Sequence, residues 1–300
     1  MSAPTALSNN ASLRGMVLGV AAFSLFAVHD ALVKGVIHDL PVVQILFVRS
    51  VVVTLICLAI GRAGMVRGLA RSTNKPMLIL RGVLTLAAWC MFYPAGKDLQ
   101  LAEMTTLYYV APVITVILAV VFLKERLTLA RVGASAIGFF GVVVAMNPAG
   151  ITIGIPALMA LGAAFLWAVA MIVMRTVSKT ESSLVLVFSM NLFYVVVLAG
   201  FALPSWVPMD ARAITCVVLT GILGLVAQYA LIDAARLVPA SVLGTVEYSA
   251  LCWSFIFGFL LYAEQPAPLV YVGAAMVVAA GLILAFNERR RRLPPPVGTA

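Results

Sequence analysis

Apolar stretches of about 20 residues follow one another along the whole chain, separated by short polar segments. A helix of that length, rising 1.5 Å per residue, crosses the ~30 Å hydrocarbon core of a bilayer. Ten such helices are predicted, at 15–33, 42–60, 77–94, 101–122, 130–146, 153–174, 183–203, 212–232, 239–262 and 268–286. No cleavage-site pattern follows the first run, which is therefore read as a retained helix and not a signal peptide. Residues 1–13, rich in Ser, Ala and Asn, form an expected disordered tail. Residues 288–300, basic and broken by prolines, form a second tail too polar to insert. Composition agrees: hydrophobic residues make up 63%, charged residues only 10%, and mean hydropathy is +1.11. So little charge cannot cover a soluble surface of this size. The expected class is an all-α polytopic membrane protein.

The net charge of +9 then concerns membrane orientation, not nucleic acid, because Lys and Arg collect in cytoplasmic loops. With ten helices, all of the 20 Lys and Arg fall on one side except Lys34, Arg49, Lys97 and Arg212. Both termini are expected in the cytoplasm. The membrane would be a bacterial-type inner (plasma) membrane. An odd number of helices would split the basic clusters between the two faces.

The chain also contains one segment twice. Shifted by 139 positions, Arg81–Glu125 lies on Thr220–Glu264 without a gap, pairing Gly82 with Gly221, Thr106 with Thr245, Tyr109 with Tyr248 and Glu125 with Glu264. The glycine, threonine, tyrosine and glutamate carry more weight than apolar matches do in so apolar a chain. With one residue inserted, Gly133 meets Gly273, Gly141 meets Gly281 and Asn147 meets Asn287. At a slightly different offset Phe26-Ala27-Val28 meets Trp167-Ala168-Val169, and Lys34 meets Arg175. The units are 14–147 and 152–287. Five crossings per unit is an odd number, so the copies must enter the membrane from opposite faces. Inverted repeats of this kind build secondary transporters, with a site near midplane between the halves.

Ala111-Pro112, Phe122-Leu123-Lys124-Glu125-Arg126 and Gly138-Phe139-Phe140-Gly141-Val142 stand in the first half. Pro239-Ala240-Ser241, Glu247-Tyr248, Tyr262-Ala263-Glu264 and Ala280-Gly281 stand in the second. Over nearly its full length the chain resembles the EamA-type drug/metabolite transporters. The resemblance implies two five-helix units moving small metabolites, often amino acids outward as in YddG-like exporters. Importers of riboflavin or S-adenosylmethionine are an alternative within the same resemblance. Leu251 stands where the first copy has Pro112, so a helix break is expected in one half only.

Charges inside a bilayer need a reason. Glu247, about 12 Å into its helix at 1.5 Å per residue, is read either as a cavity acid that meets a substrate ammonium or takes a proton, or as a structural glutamate tied to a neighbouring helix. Asp30 and Arg49 sit on helices joined by a short loop and are expected to form a structural ion pair. Under the other reading, one of them meets a substrate carboxylate or amine. His29 can titrate near neutral pH, making His29, Asp30 and Glu247 the candidates for proton coupling. Lys34, Lys97, Asp98 and Glu103 are expected in solvent, and Glu125 and Glu264 are read as loop anchors.

Trp89, Tyr93, Tyr108, Tyr109, Trp167, Tyr229, Tyr248 and Trp253 fall within helices, away from the interfacial belts where Trp and Tyr collect. They are read as cavity lining or as helix packing, with Gln228 and the Thr106/Thr245 pair as polar candidates at similar depth. Pro94 and Pro112 break helical hydrogen bonding and are candidate gating points. Gly15 and Gly19, with the other spaced glycines, let helices pack closely, and the same faces could form a homodimer surface. Cys57, Cys90, Cys216 and Cys252 show no CxxC spacing, and with two histidines no metal centre or cofactor is expected. No P-loop, HExxH or GxSxG motif occurs in the chain. An intramembrane enzyme or a ligand-binding receptor is the alternative of another class, and it lacks a visible catalytic dyad. The expected partners are a small-molecule substrate and membrane lipid.

Overall fold

A computed structural model describes residues 5–123, 129–146, 154–247 and 249–292. The helices, in chain order, are α1 (Thr5–Lys34), α2 (Val42–Gly61), α3 (Ala63–Arg71), α4 (Lys75–Asp98), α5 (Leu101–Tyr108), α6 (Val110–Leu123), α7 (Leu129–Met146), α8 (Ile155–Val177), α9 (Ser183–Ala202), α10 (Ala211–Leu237), α11 (Ala240–Glu247), α12 (Ser249–Tyr262) and α13 (Pro268–Arg292). Among the described residues eight spans are long and apolar enough to cross a membrane. Two shorter apolar helices cover Val132–Ala145 and Pro268–Ile283. In hydrocarbon every backbone polar group must be satisfied within the chain, and helices do this segment by segment. The protein is a multi-pass helical membrane protein. α1 begins at Thr5, inside the stretch read as a disordered tail, and α13 runs past its apolar part to Arg292.

The span 101–122 is two helices, α5 and α6, joined at Tyr109. Pro112 lacks the N–H that the carbonyl of Tyr108 would receive in an unbroken helix. The chain tightens there instead, and the Tyr109 N–H donates to both Thr105 and Thr106 carbonyls. Pro94 acts differently: α4 continues through it to Asp98, so that proline does not end its helix. α11 and α12 are the described parts of the matching second-half span; Tyr248, between them, lies outside the described residues.

Packing follows the repeat. α1 lies along α10 and α4 along α8, two pairs that the internal repeat exchanges. α2 packs against α9 and α7 against α13, each element meeting its own counterpart. The paired glycines serve matching contacts. A Cβ on Gly82 would come 2.7 Å from Phe193 in α9, and one on Gly221 would come 3.1 Å from the Arg49 carbonyl in α2. At Gly141 an added Cβ would sit 2.7 Å from the carbonyl of Gly273, so α7 and α13 cross backbone to backbone. Gly15 and Gly19 face Leu237, Val238 and Val246 of the same chain. Their surface is therefore spent on packing within the chain.

The connections gather at two ends. At one, the Gln44 side chain exchanges two hydrogen bonds with the Val207 backbone, at 2.7 and 2.9 Å. There too Lys34 meets Glu264 at 2.7 Å and donates to the Leu99 carbonyl. At the other, Ser72 donates to Glu181, Asn74 to Thr180, and Arg236 to the Ser178 carbonyl. α1 ends at the first of these and α8 at the second, so the leading helices of the two units run in opposite senses.

Candidate functional site

Between the two units lies a central cavity, lined from α1, α4, α5, α8, α11 and α12. Helical spacing selects its wall. Phe23, Phe26, Ala27 and Asp30 recur at i, i+3, i+4 and i+7 on one face of α1. Leu101, Thr105 and Tyr108 do the same on α5, and Ala250 and Ser254 on α12. Aromatic rings dominate it. Phe92 and Tyr108 lie 5.0 Å apart, Trp89 and Trp167 5.7 Å, and Phe26 meets Trp167 edge-on at 6.3 Å. These tilted and edge geometries suit the ring quadrupoles and hold the wall rigid.

Set into that wall are polar atoms without a protein partner. Glu247 is buried at 2% exposure and its Oε2 has no hydrogen bond. The indole N–H of Trp89 is equally unpartnered, whereas that of Trp167 approaches the Glu247 carboxyl group. Buried orphans of this kind cost about 1–3 kcal/mol each, and a solute or water in the cavity can satisfy them. Among the described residues neither Lys nor Arg lines this cavity, whereas Asp30 and Glu247 both do. The Tyr109 hydroxyl donates to the Glu247 carbonyl at 2.6 Å, tying the α5–α6 junction to the end of α11.

The expected direct ion pair between Asp30 and Arg49 is replaced by a relay. Arg49 Nη1 donates to His29 Nε2 at 2.7 Å and to the Tyr93 hydroxyl at 3.0 Å, while His29 Nδ1 lies 2.9 Å from Asp30. A guanidinium only donates, so His29 Nε2 must be the bare nitrogen and its proton sits on Nδ1, directed at Asp30. His29 therefore stands between the two charges, and a second proton on it would expel Arg49. Spacing alone put the charges on helices consecutive in the chain, expected to be packed neighbours. Instead α1 lies along α10 while α2 packs against α9 and α10, so the imidazole of His29 spans the distance between the two charges.

Of the other predicted site residues, Trp89, Tyr108, Tyr109 and Trp167 line the central cavity. Tyr93 stands behind, stacked on Trp89 at 5.1 Å and 13°. Thr106 is fully buried and bonds back to the Ala102 carbonyl; its neighbour Thr105 faces the cavity instead. Gln228 lies in two smaller cavities. Tyr229 is 44% exposed on the outer surface, and Trp253 is also outward-facing, bonded to Ser24. Neither belongs to the wall. The phenylalanines were missed because nothing in their spacing separates a cavity-facing ring from a packed one. Lys34 and Glu103 are not simply solvated: Lys34 is held by Glu264, and Glu103 accepts from the Gln100 N–H at the start of α5. Arg81, counted with the loop cations, is buried and donates to the Leu186 carbonyl.

A second, small cavity is lined by residues that include Arg81, Trp167, Met171, Met174, Met190, Gln228 and Leu231. It occupies repeat-equivalent positions. Phe26, Asp30, Trp89 and Phe92 of the central cavity correspond to Trp167, Met171, Gln228 and Leu231. A third, about the size of one water, adjoins His29, Arg49 and Gln228 and shares Phe26 and Trp89 with the central one.

Similarity to known proteins agrees with this architecture. The chain is 28% identical over 283 residues to the pseudopaline exporter CntI of Pseudomonas aeruginosa, covering 92% of this chain and 97% of that one. It is 28% identical to a riboflavin transporter of Rhizobium johnstonii over 75% of this chain and 76% of the relative. With an S-adenosylmethionine uptake transporter of Rickettsia felis the identity is 26%, over 73% and 74%. A solved crystal structure superposes with a TM-score of 0.68 at 20% identity, covering 94% of this chain and 99% of the other, which is a likeness of fold. The model of the EamA-like transporter family matches twice, at residues 13–147 and 154–286, and the chain belongs to that family.

Proposed function

We propose that the protein is a secondary transporter that exports amino acids or related small metabolites by alternating access around the central cavity. The membrane would be a bacterial-type inner membrane, crossed ten times by two inverted five-helix units, with both termini in the cytoplasm. One observation carries the reading: a buried carboxylate, Glu247, presents an unpartnered oxygen to an aromatic cavity at the seam of the two units. Asp30 and Glu247 supply acidic groups there, and among the described residues no Lys or Arg lines the cavity beside them, so a solute ammonium fits. The rings would take up an apolar side chain, partly through cation–π attraction to the same ammonium. A relative named as an exporter is matched along nearly its whole length. An importer of riboflavin or S-adenosylmethionine is the second reading, favoured by relatives named for those solutes.

Purified protein in liposomes tests it. Counterflow of a labelled amino acid, with no ATP present, is expected for a carrier. Exchange confined to riboflavin or S-adenosylmethionine selects the second reading, and binding without flux of any of them defeats both. Single cysteines placed beside Lys75 and Arg292 test the orientation, which requires them on the same face.

A further inference from the structure

The third cavity is opposite in charge to the central one. Arg49 reaches it at 5% exposure, with no carboxylate in ion-pair contact among the described residues. Its Nη1 is committed to His29 and Tyr93, while Nε and Nη2 have no protein acceptor among the described residues. The guanidinium also lies 5.3 Å from the centre of the Trp89 ring, which compensates part of its charge. A buried cation without an anion is unfavourable, and the water-sized cavity beside it marks where an acceptor would sit. Gln228 enters the same space from α10. It is more than nine-tenths buried and its Oε1 is unpartnered. Half a turn of that amide offers two N–H donors to an acceptor there. Asn191, also lining the cavity, uses its amide on the Val187 carbonyl and has one N–H left over.

We propose that this cavity is the carboxylate subsite of the transport pathway, and that Asp30 and Arg49, on either side of His29, together hold the head group of an α-amino acid. The proposal deepens the reading above and rests on it. Asp30 lines the central cavity and Arg49 the third, separated by one imidazole and its two hydrogen bonds, about 8 Å end to end. An α-amino acid hydrogen-bonded at both its charged groups covers about the same reach. Its ammonium then faces Asp30 and Glu247, its carboxylate takes the free edge of Arg49 and the Gln228 amide, and its side chain lies among the rings of the central cavity. The relay fixes this polarity. His29 is locked as a neutral donor to Asp30 and acceptor from Arg49, so the two charges stay apart without neutralising each other. A simple amine would leave Arg49 uncompensated, and a simple acid would leave Glu247 so.

Quenching of tryptophan fluorescence by L-phenylalanine, phenethylamine and 3-phenylpropionate separates the contributions of the two charges. Arg49→Met is expected to weaken phenylalanine binding at least tenfold and phenethylamine binding less than twofold. Gln228→Glu leaves Arg49 in place and supplies an internal anion in its stead. It should reproduce the pattern and abolish 3-phenylpropionate binding. Equal loss of phenylalanine and phenethylamine, or undiminished phenylalanine binding in both variants, overturns the subsite. Phenethylamine binding that persists in Asp30→Asn/Glu247→Gln refutes the ammonium reading alone. If wild type binds neither amine, 3-phenylpropionate decides: binding lost in Gln228→Glu sustains the subsite, and no binding overturns it.

Discussion

Removing Glu264 should unfasten one end of the bundle. Its Oε1 lies 2.7 Å from Lys34 Nζ, both side chains only about a tenth exposed, and its Oε2 accepts from the Leu101 N–H at 2.8 Å. Lys34 also donates to the Leu99 carbonyl, and the Tyr262 hydroxyl donates to the Ala31 carbonyl beside it. One carboxylate thus joins the end of α1, the α4–α5 junction and the loop after α12, three elements that wall the central cavity. At 2.7 Å the attraction is about 6 kcal/mol for an effective dielectric near 20. Desolvating both ions cancels several kcal/mol of that, leaving a net coupling of about 2 kcal/mol. Glu264→Gln leaves Lys34 half-satisfied and should cost about 3 kcal/mol. Lys34→Met leaves the carboxylate with its backbone donor and should cost about 2 kcal/mol. The double variant should cost about 3 kcal/mol, less than the sum, because neither orphaned charge remains. Unfolding in graded sodium dodecyl sulfate, read as a double-mutant cycle, measures the difference. Costs that add to within about 0.5 kcal/mol would show that the pair is not coupled and that the account of this end is wrong.

Glu247→Gln keeps the shape of the side chain and removes its charge. Counterflow of a labelled amino acid should fall about tenfold, equivalent to ~1.4 kcal/mol, and its variation with pH should flatten while the elution profile is unchanged; an unaltered pH series would make Glu247 structural. Trp167→Ala opens the wall shared by the central and second cavities, and a competition panel should show a changed order of solute preference at normal expression. An unchanged order counts against the aromatic wall as the selector. Gly141→Val drives a side chain into the Gly273 carbonyl and should destabilise by about 1–3 kcal/mol, whereas Gly133→Ala, with nothing within 4 Å of its Cβ, should be neutral. Equal thermal stability of the two variants would refute the α7–α13 crossing.

Much of this was legible in the chain. The match of Arg81–Glu125 with Thr220–Glu264, with that of Phe26–Val28 and Trp167–Val169, marks α1–α10 and α4–α8 as equivalent contacts. Glu247, Trp89 and Trp167 stood out because polar atoms in hydrocarbon need a partner, whichever residue that proves to be. Side-chain reach was not legible. It decides that Arg49 meets His29 before Asp30, and that Lys34 is fastened to Glu264 across more than two hundred positions of sequence. Nor could the face of a helix be read where every residue is apolar. Thr105 and not Thr106 meets the cavity, and Tyr229 and Trp253 turn outward, because lipid and helix partners present the same chemistry. The proline rule located the α5–α6 junction but overstated Pro94, whose helix tolerates one missing bond.

The correspondence between the central and second cavities has a kinetic consequence. Asp30 is matched by Met171 and Trp89 by Gln228, so a solute arriving from one face meets an acid and an indole, and from the other a thioether and an amide. A carrier whose halves trade places would therefore half-saturate at different concentrations from its two sides. Detailed balance forbids unequal chambers from pumping by themselves, so in the absence of a coupled ion the maximal velocities must be skewed in the same ratio, and the skew would record how far the twin units have diverged.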